Sequence, residues 1–271
     1  MSALEAVADW PVPHAAAAVV GPSGVLATQG EVQRRFPLAS VTKPLAALAV
    51  LVAVEEEAVA LDDPAGHELP GATLRHLLSH ASGCAPDRLE GVHQPGTRRI
   101  YSNAGIERAA ELVEQRTDLP FERYLREAVC APLSLDGTDL PGSPAHGGVS
   151  CVRDLARIVQ ELLSSTGLLS APMRADLATV QFPGLRGVVP GYGAQDPNDW
   201  GLGFEIRADK SPHWTGAHNS AATFGHFGQS GTMLWVDPVA RLGVVALADR
   251  DFGDWAKEAW PALSDAVLRS S

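Results

Sequence analysis

Directly behind the tetrad Ser40-Val41-Thr42-Lys43 runs a stretch, Pro44 to Val54, that is apolar at every position. Read as a helix, it offers water no polar face, so other elements must pack around it on all sides. A chain of 271 residues is long enough to supply that surround, as one large core or as two lobes sharing a cleft. The first turn of this helix carries Ser40 and Lys43 at i and i+3, positions that share a face. Only three of the 21 basic residues are lysines (Lys43, Lys210 and Lys257), so a chance Ser-x-x-Lys is less frequent than usual. Burial and the positive end of the helix both disfavour an ammonium there. A neutral Lys43 can then take the Ser40 proton. Taken alone, the tetrad fits a capping serine beside a surface lysine equally well.

Charge narrows the function classes. A net charge of −11 with no lysine- or arginine-rich run argues against a nucleic-acid surface. Glu55-Glu56-Glu57 interrupts the apolar run too early for a bilayer span, so no membrane partner is expected. Met1 to Ala6 shows no basic segment ahead of an apolar core, and no secretory signal is expected there. Three widely spaced cysteines (Cys84, Cys130, Cys151) lack a ligand pattern and suit a reducing cytoplasm.

Hydrophobic periodicity outlines the organisation. Leu4 to Trp10 predicts a short opening helix, and Ala15–Val20, a Gly21-Pro22-Ser23-Gly24 turn and Val25–Thr28 predict a hairpin. The Ser40 helix is expected to stop near Leu61. Further helices are expected over Leu74–His80, Asn103–Gln115, Phe121–Val129, Val152–Leu163 and Met173–Val180. From Trp200 the period changes: Gly201–Ile206, Thr232–Val236 and Leu242–Leu247 read as strands, and Asp254–Leu268 as a final helix. Strands at both ends with helices between them predict an α+β fold. One lobe would be built from residues 1–61 and 195–271, with an inserted all-helical lobe at 62–194 and the site in the cleft between them.

A serine nucleophile needs a proton relay and donors for an oxyanion. Tyr101-Ser102-Asn103 lies at a loop-to-helix junction where polar side chains can face a cleft. A nearby lysine charge is expected to lower the Tyr101 phenol pKa. An ordinary helix cap with a packing tyrosine accounts for these residues as well. His226-Phe227-Gly228-Gln229-Ser230-Gly231 precedes a strand, and its glycines permit close approach of a substrate at a sheet edge. A glycine-rich turn with a surface histidine is the plainer alternative. The Gly-x-Ser-x-Gly elbow is absent. His76 and His80 have zinc-compatible i, i+4 spacing but no completing carboxylate, so no metal is assigned and both are read as structural. No phosphate loop or dinucleotide fingerprint occurs, and no cofactor is assigned.

Ser40-x-x-Lys43, Tyr101-x-Asn103 and His226-x-Gly228 occur in the order found in the penicillin-recognising serine hydrolases, which the chain resembles. Within them it looks most like the branch of class C β-lactamases, D-Ala-D-Ala carboxypeptidases and family VIII-type esterases. Flanking text agrees: Phe36-Pro37-Leu38-Ala39 before Ser40, Thr73 to Gly83, Pro95-Gly96 before Tyr101, and Phe224-Gly225 through Thr232 with Trp235-Val236-Asp237-Pro238. The resemblance covers about Val19 to Leu247. It implies a β-lactamase/transpeptidase-like fold, with an antiparallel sheet flanked by terminal helices, and an acyl-enzyme on Ser40. Lys43 and Tyr101 would move the proton, and the N–H groups of Ser40 and Gln229 would form the oxyanion hole. Asn103, His226, Phe227 and Gly228 would bind substrate. His226 would replace a more usual lysine, adding positive potential at low pH and a hydrogen bond otherwise.

Two departures bear on the substrate. Phe227 stands where a hydroxyl usually helps to hold a carboxylate, which favours esters over β-lactams or peptides. Tyr101 follows Ser40 by only 61 residues, a compressed spacing that implies a trimmed helical lobe and a more open, apolar acyl pocket. The expectation is therefore a carboxylesterase on small acyl esters. A β-lactamase, D-amino-acid peptidase or amidase, or acyltransferase using the same site is the neighbouring alternative, and a catalytically silent binding module the alternative of another class. The partner is a small ester or amide, and the oligomeric state is open.

Overall fold

The structure, a computed structural model, describes residues 3–270. Met1 and Ser2, included in the leader reading, and Ser271 at the end of the terminal lobe lie outside these residues. A 3-10 turn (Glu5–Asp9) leads into β1 (Ala15–Gly21), β2 (Gly24–Gly30) and β3 (Phe36–Pro37). A second 3-10 turn (Ala39–Val41) opens α1 (Thr42–Glu55), followed by α2 (Leu74–Leu78), α3 (Asn103–Thr117) and α4 (Phe121–Leu125), which runs into a π turn (Arg126–Cys130). Then come β4 (Val149–Ser150), α5 (Val152–Leu163), α6 (Ala171–Leu177), β5 (Gly187–Val189), β6 (Gly193–Gln195) and β7 (Glu205–Ile206). The chain closes with β8 (Phe224–Gly228), β9 (Thr232–Asp237), β10 (Leu242–Ala248) and α7 (Asp254–Arg269).

Six strands form one antiparallel sheet in the order β2-β1-β10-β9-β8-β7. Its two faces are covered differently. Leu234, Val236, Val245 and Leu247 pack with α1 and α5 in the larger core, while Met233, Trp235, Val244 and Ala246 pack with Trp260 and Leu263 of α7. This alternation is the period-2 consequence of strands buried on both sides. Every residue from Thr42 to Ala53 is buried, as the all-apolar run requires. No helix among the described residues is long and apolar enough to cross a membrane.

Several expected boundaries shift for physical reasons. α1 stops at Glu55 rather than near Leu61, because Glu57 takes a left-handed conformation (φ 59°) that an α-helix cannot continue. The strand expected over Gly201–Ile206 contracts to Glu205–Ile206. The preceding residues instead cross α1 so closely that a Cβ on Gly203 would lie 2.1 Å from that of Ala47. The glycine-rich Phe224–Gly228 is not a turn but the strand β8. Because β7 pairs only with Phe224 and Gly225, the edge of β8 from His226 to Gly228 is left open beside the Ser40 turn.

Candidate active site

Ser40 is positioned by contacts from both sides of its short turn. Thr232 Oγ1 donates to Leu38 O at 2.7 Å, and Ser230 Oγ donates to Pro37 O at 2.7 Å, tying the segment to the β8–β9 hairpin. On the other side, Leu38 N–H donates to Gly148 O and Gly148 N–H donates to Thr42 Oγ1, both at 2.9 Å. Ala39, immediately before the serine, is held at φ 44°, a conformation costly for a residue with a Cβ. A Cβ on Gly228 would lie 2.3 Å from Leu38 O and 3.2 Å from Ser40 N. Only glycine lets β8 approach the head of α1 this closely.

Lys43 Nζ is 3.3 Å from Ser40 Oγ and donates to Asn103 Oδ1 at 2.7 Å and to Ala145 O at 2.9 Å. The side chain is fully buried. Desolvation brings its pKa down to about 7, against the opposing pull of Glu107 and Asp87, which favour the charged form. At neutral pH a large fraction is therefore the free amine. Asn103 opens α3, and its Nδ2 donates to Asp87 Oδ1 at 2.7 Å, which fixes the amide orientation that presents Oδ1 to the lysine.

The Tyr101 hydroxyl is hydrogen-bonded to the Ser40 side chain, and Lys43 Nζ lies 4.5 Å from the centre of its ring. The phenol pKa does not fall, contrary to expectation. Burial pushes it up, outweighing the Ser40 hydrogen bond, and the neutralised lysine supplies little positive charge to counter this. Tyr101 is thus a protonated phenol rather than a phenolate. His226 also departs from expectation. Burial, and then the nearby Lys43, bring its pKa to about 3, so it adds no positive potential at ordinary pH. Its Nδ1 lies 2.7 Å from Phe227 O, an acceptor only. Nδ1 therefore carries the proton, and Nε2, buried and without a partner, is left as an acceptor.

Ser40, Tyr101, Trp200, His226, Phe227 and Gln229, with Pro190 and Glu205, surround a pocket of about 190 Å³. It is compact and aromatic rather than the open pocket expected, and smaller than the common range of about 300–1,000 Å³ for ligand sites. Phe227 packs among Tyr192, Trp214, Phe252 and Trp260 and presents no hydrogen-bonding group. Glu205 is ionised despite burial, because Lys210 (3.1 Å) and His213 (3.3 Å) face one oxygen and Trp214 Nε1 donates to the other at 2.7 Å.

Trp200, Glu205 and His80 were not singled out in the sequence as site residues. His80 sits at φ 57° just past α2, which turns it away from His76 and against Tyr101 and Trp200 (ring centres 4.7 and 4.6 Å). Its Nδ1 accepts the Ser102 N–H at 3.2 Å. His76 instead caps α2, accepting the Thr73 N–H, and stacks on Phe182. The i, i+4 spacing was visible, but the left-handed turn that separates the two rings was not. Among the described residues, no group of three or more His, Cys, Asp or Glu side chains is placed to hold a metal ion.

A family model for Beta-lactamase matches residues 10–268. The chain belongs to the β-lactamase family. Members of this family are serine hydrolases. A crystallised β-lactamase from Mycobacterium bovis is 58% identical over 99% of both chains, with a TM-score of 0.97, and the β-lactamase/transpeptidase-like fold is the same. Esterase EstB of Burkholderia gladioli is 37% identical over 40% of this chain and 27% of its own length. A Salmonella schwarzengrund protein bearing a provisional D-alanyl-D-alanine carboxypeptidase name is 23% identical over 58% of this chain and 46% of its own. The chain thus spans less than half the length of these curated relatives.

Proposed function

We propose that this β-lactamase-family hydrolase is a carboxylesterase acting on small acyl esters through an acyl-enzyme on Ser40. One observation carries the preference for uncharged esters. The β8 wall of the pocket, at His226 and Phe227, offers a carboxylate neither a cation nor a hydroxyl, since His226 is neutral and Phe227 is a phenyl ring. Glu205, held ionised at the same pocket, adds to the penalty for an anionic substrate.

In the proposed cycle, neutral Lys43 takes the Ser40 proton as Oγ attacks the ester carbonyl carbon. The N–H groups of Ser40 and Gln229 stabilise the developing oxyanion. Collapse breaks the bond to the alcohol oxygen. Tyr101 gives that oxygen its proton and recovers one from the Lys43 ammonium, so both return to their starting states. Water then attacks the acyl carbon and gives its proton to the same relay, the bond to Ser40 Oγ breaks as the relay returns that proton to Oγ, and the acid is released. Asn103 holds the lysine in place, and Gly228 leaves room for the substrate beside the nucleophile. The three cysteines are free and buried, which suits the reducing cytoplasm also proposed for this protein.

A second reading, β-lactam hydrolysis, is favoured by the name of the M. bovis relative. Turnover of p-nitrophenyl butyrate compared with nitrocefin separates the two. Faster butyrate turnover supports the esterase, and faster nitrocefin turnover overturns it. Covalent labelling by a fluorophosphonate in the parent, lost in Ser40→Ala, distinguishes either enzyme from a silent binding module.

A further inference from the structure

A second cavity adjoins the pocket beside Ser40. Its volume is about 510 Å³, and it shares Tyr101 and Pro190 with that pocket. Its apolar walls come from Pro86, Val92, Ile100 and Val188. Val92 (46% exposed) and Val188 (51% exposed) are two of five large apolar side chains left in water among the described residues. One exposed valine needs no explanation, but two lining a single groove that adjoins the nucleophile's pocket do.

The groove is also preformed. Val188 lies in β5, whose neighbour Gly187 bridges Arg99, and Arg99 N–H donates to Arg186 O at 3.0 Å. The Arg99 guanidinium is buried and donates to the carbonyls of Ser79, Gln181 and Asn198 at 2.7–3.0 Å, locking the wall to the segments after α2 and α6. Val92 N–H donates to Gly83 O at 2.9 Å, which fixes the other wall. Arg98 and His93 are the further polar side chains lining the groove, and no carboxylate among the described residues lines it. An arginine at an apolar wall keeps its head in water and adds its methylenes to the surface.

We propose that this groove is the subsite for an extended apolar chain of the substrate, so that the enzyme favours esters with a medium-length alkyl or aryl group over acetates of small alcohols. The proposal rests on the ester reading and deepens it. The occupant follows from adjacency: Tyr101 and Pro190 line both cavities, so a substrate whose carbonyl sits at Ser40 and whose chain passes Tyr101 would reach the groove. Each methylene buried there should raise kcat/KM by about 3- to 4-fold until the groove is filled.

Two substrate series test it: p-nitrophenyl esters from acetate to decanoate lengthen the acyl side, and acetates from ethyl to octyl lengthen the alcohol side. The expected result is a rise with chain length in one series, identifying which part of the ester occupies the groove. Val188→Asp and Val92→Asp should flatten that rise while ethyl acetate turnover, too short to reach the groove from either side, stays at the parent level. A flat response in both series, or an unchanged slope in both variants, overturns the subsite and leaves the ester reading standing. If no ester is turned over, the ester reading falls, and calorimetry with 1-octanol decides about the groove. Binding to the parent but not to Val188→Asp supports it, whereas equal heats, or none from either, overturn it.

Discussion

Lys43 Nζ stands closer to Asn103 Oδ1 (2.7 Å) than to Ser40 Oγ (3.3 Å). The contact joins the head of α1 to the head of α3. It holds the amine by an acceptor that carries no charge, so the lysine is oriented without an ion pair that would keep it protonated. Asp87 sets the orientation of that acceptor from outside. Asp87→Ala frees the amide to flip and present its NH₂ to the lysine. The expected result is a several-fold loss of kcat with little change in KM, and Asn103→Ala should cost more, on the order of 10- to 100-fold. Steady-state kinetics on p-nitrophenyl butyrate measure both.

The Lys43 pKa sets the pH profile. The base must be unprotonated, so kcat/KM should rise as pH increases through about 7 and then level off. Glu107 stabilises the ammonium, so Glu107→Gln should move this rise to lower pH. His226 titrates near 3 and should contribute no step between pH 5 and 9. A His226→Gln variant that kept the rise near 7 would agree with this assignment.

Gly228→Ala places a methyl group 2.3 Å from Leu38 O and 3.2 Å from Ser40 N. The backbone must move away from the serine, and the proposed oxyanion hole opens with it. We expect kcat to fall by about 10²–10³-fold, the cost of losing one oxyanion donor. Circular dichroism and thermal melting, run alongside the kinetics, separate this from unfolding.

Phe227→Thr supplies a hydroxyl to the β8 wall of the pocket, which has none at His226 and Phe227. Turnover of nitrocefin relative to p-nitrophenyl butyrate should increase. The ring belongs to a buried aromatic cluster, so the substitution should also cost about 2–4 kcal/mol of stability, measurable by urea unfolding.

Much of this was legible in the sequence where one residue type in one pattern has a single physical outcome. The all-apolar run from Pro44 had to be an enclosed helix, and the apolar spacing from Val152 to Leu163 matches α5. The Ser40, Lys43, Tyr101, Asn103 and His226 side chains, far apart in sequence, do gather around one cleft. What escaped depended on the backbone or on burial depth. The Ala145 carbonyl that accepts from Lys43 is a main-chain atom and leaves no mark in residue identity. β3 and β4 are only two residues each, too short for periodicity to reveal. The direction of the Tyr101 shift turned on how completely its ring is enclosed, which no local pattern reports.

The proposed proton transfer from Ser40 to Lys43 can be tested before turnover confuses it. The measurement is the rate of Ser40 modification by a fluorophosphonate, followed by intact-mass spectrometry from pH 5 to 9, in the parent and in Lys43→Met. The parent rate should follow one ionisation near pH 7, and Lys43→Met should be slowed by orders of magnitude at every pH. A parent rate that ignores pH across this range, or a Lys43→Met variant that keeps the same rate and profile, would contradict the assignment of Lys43 as the base.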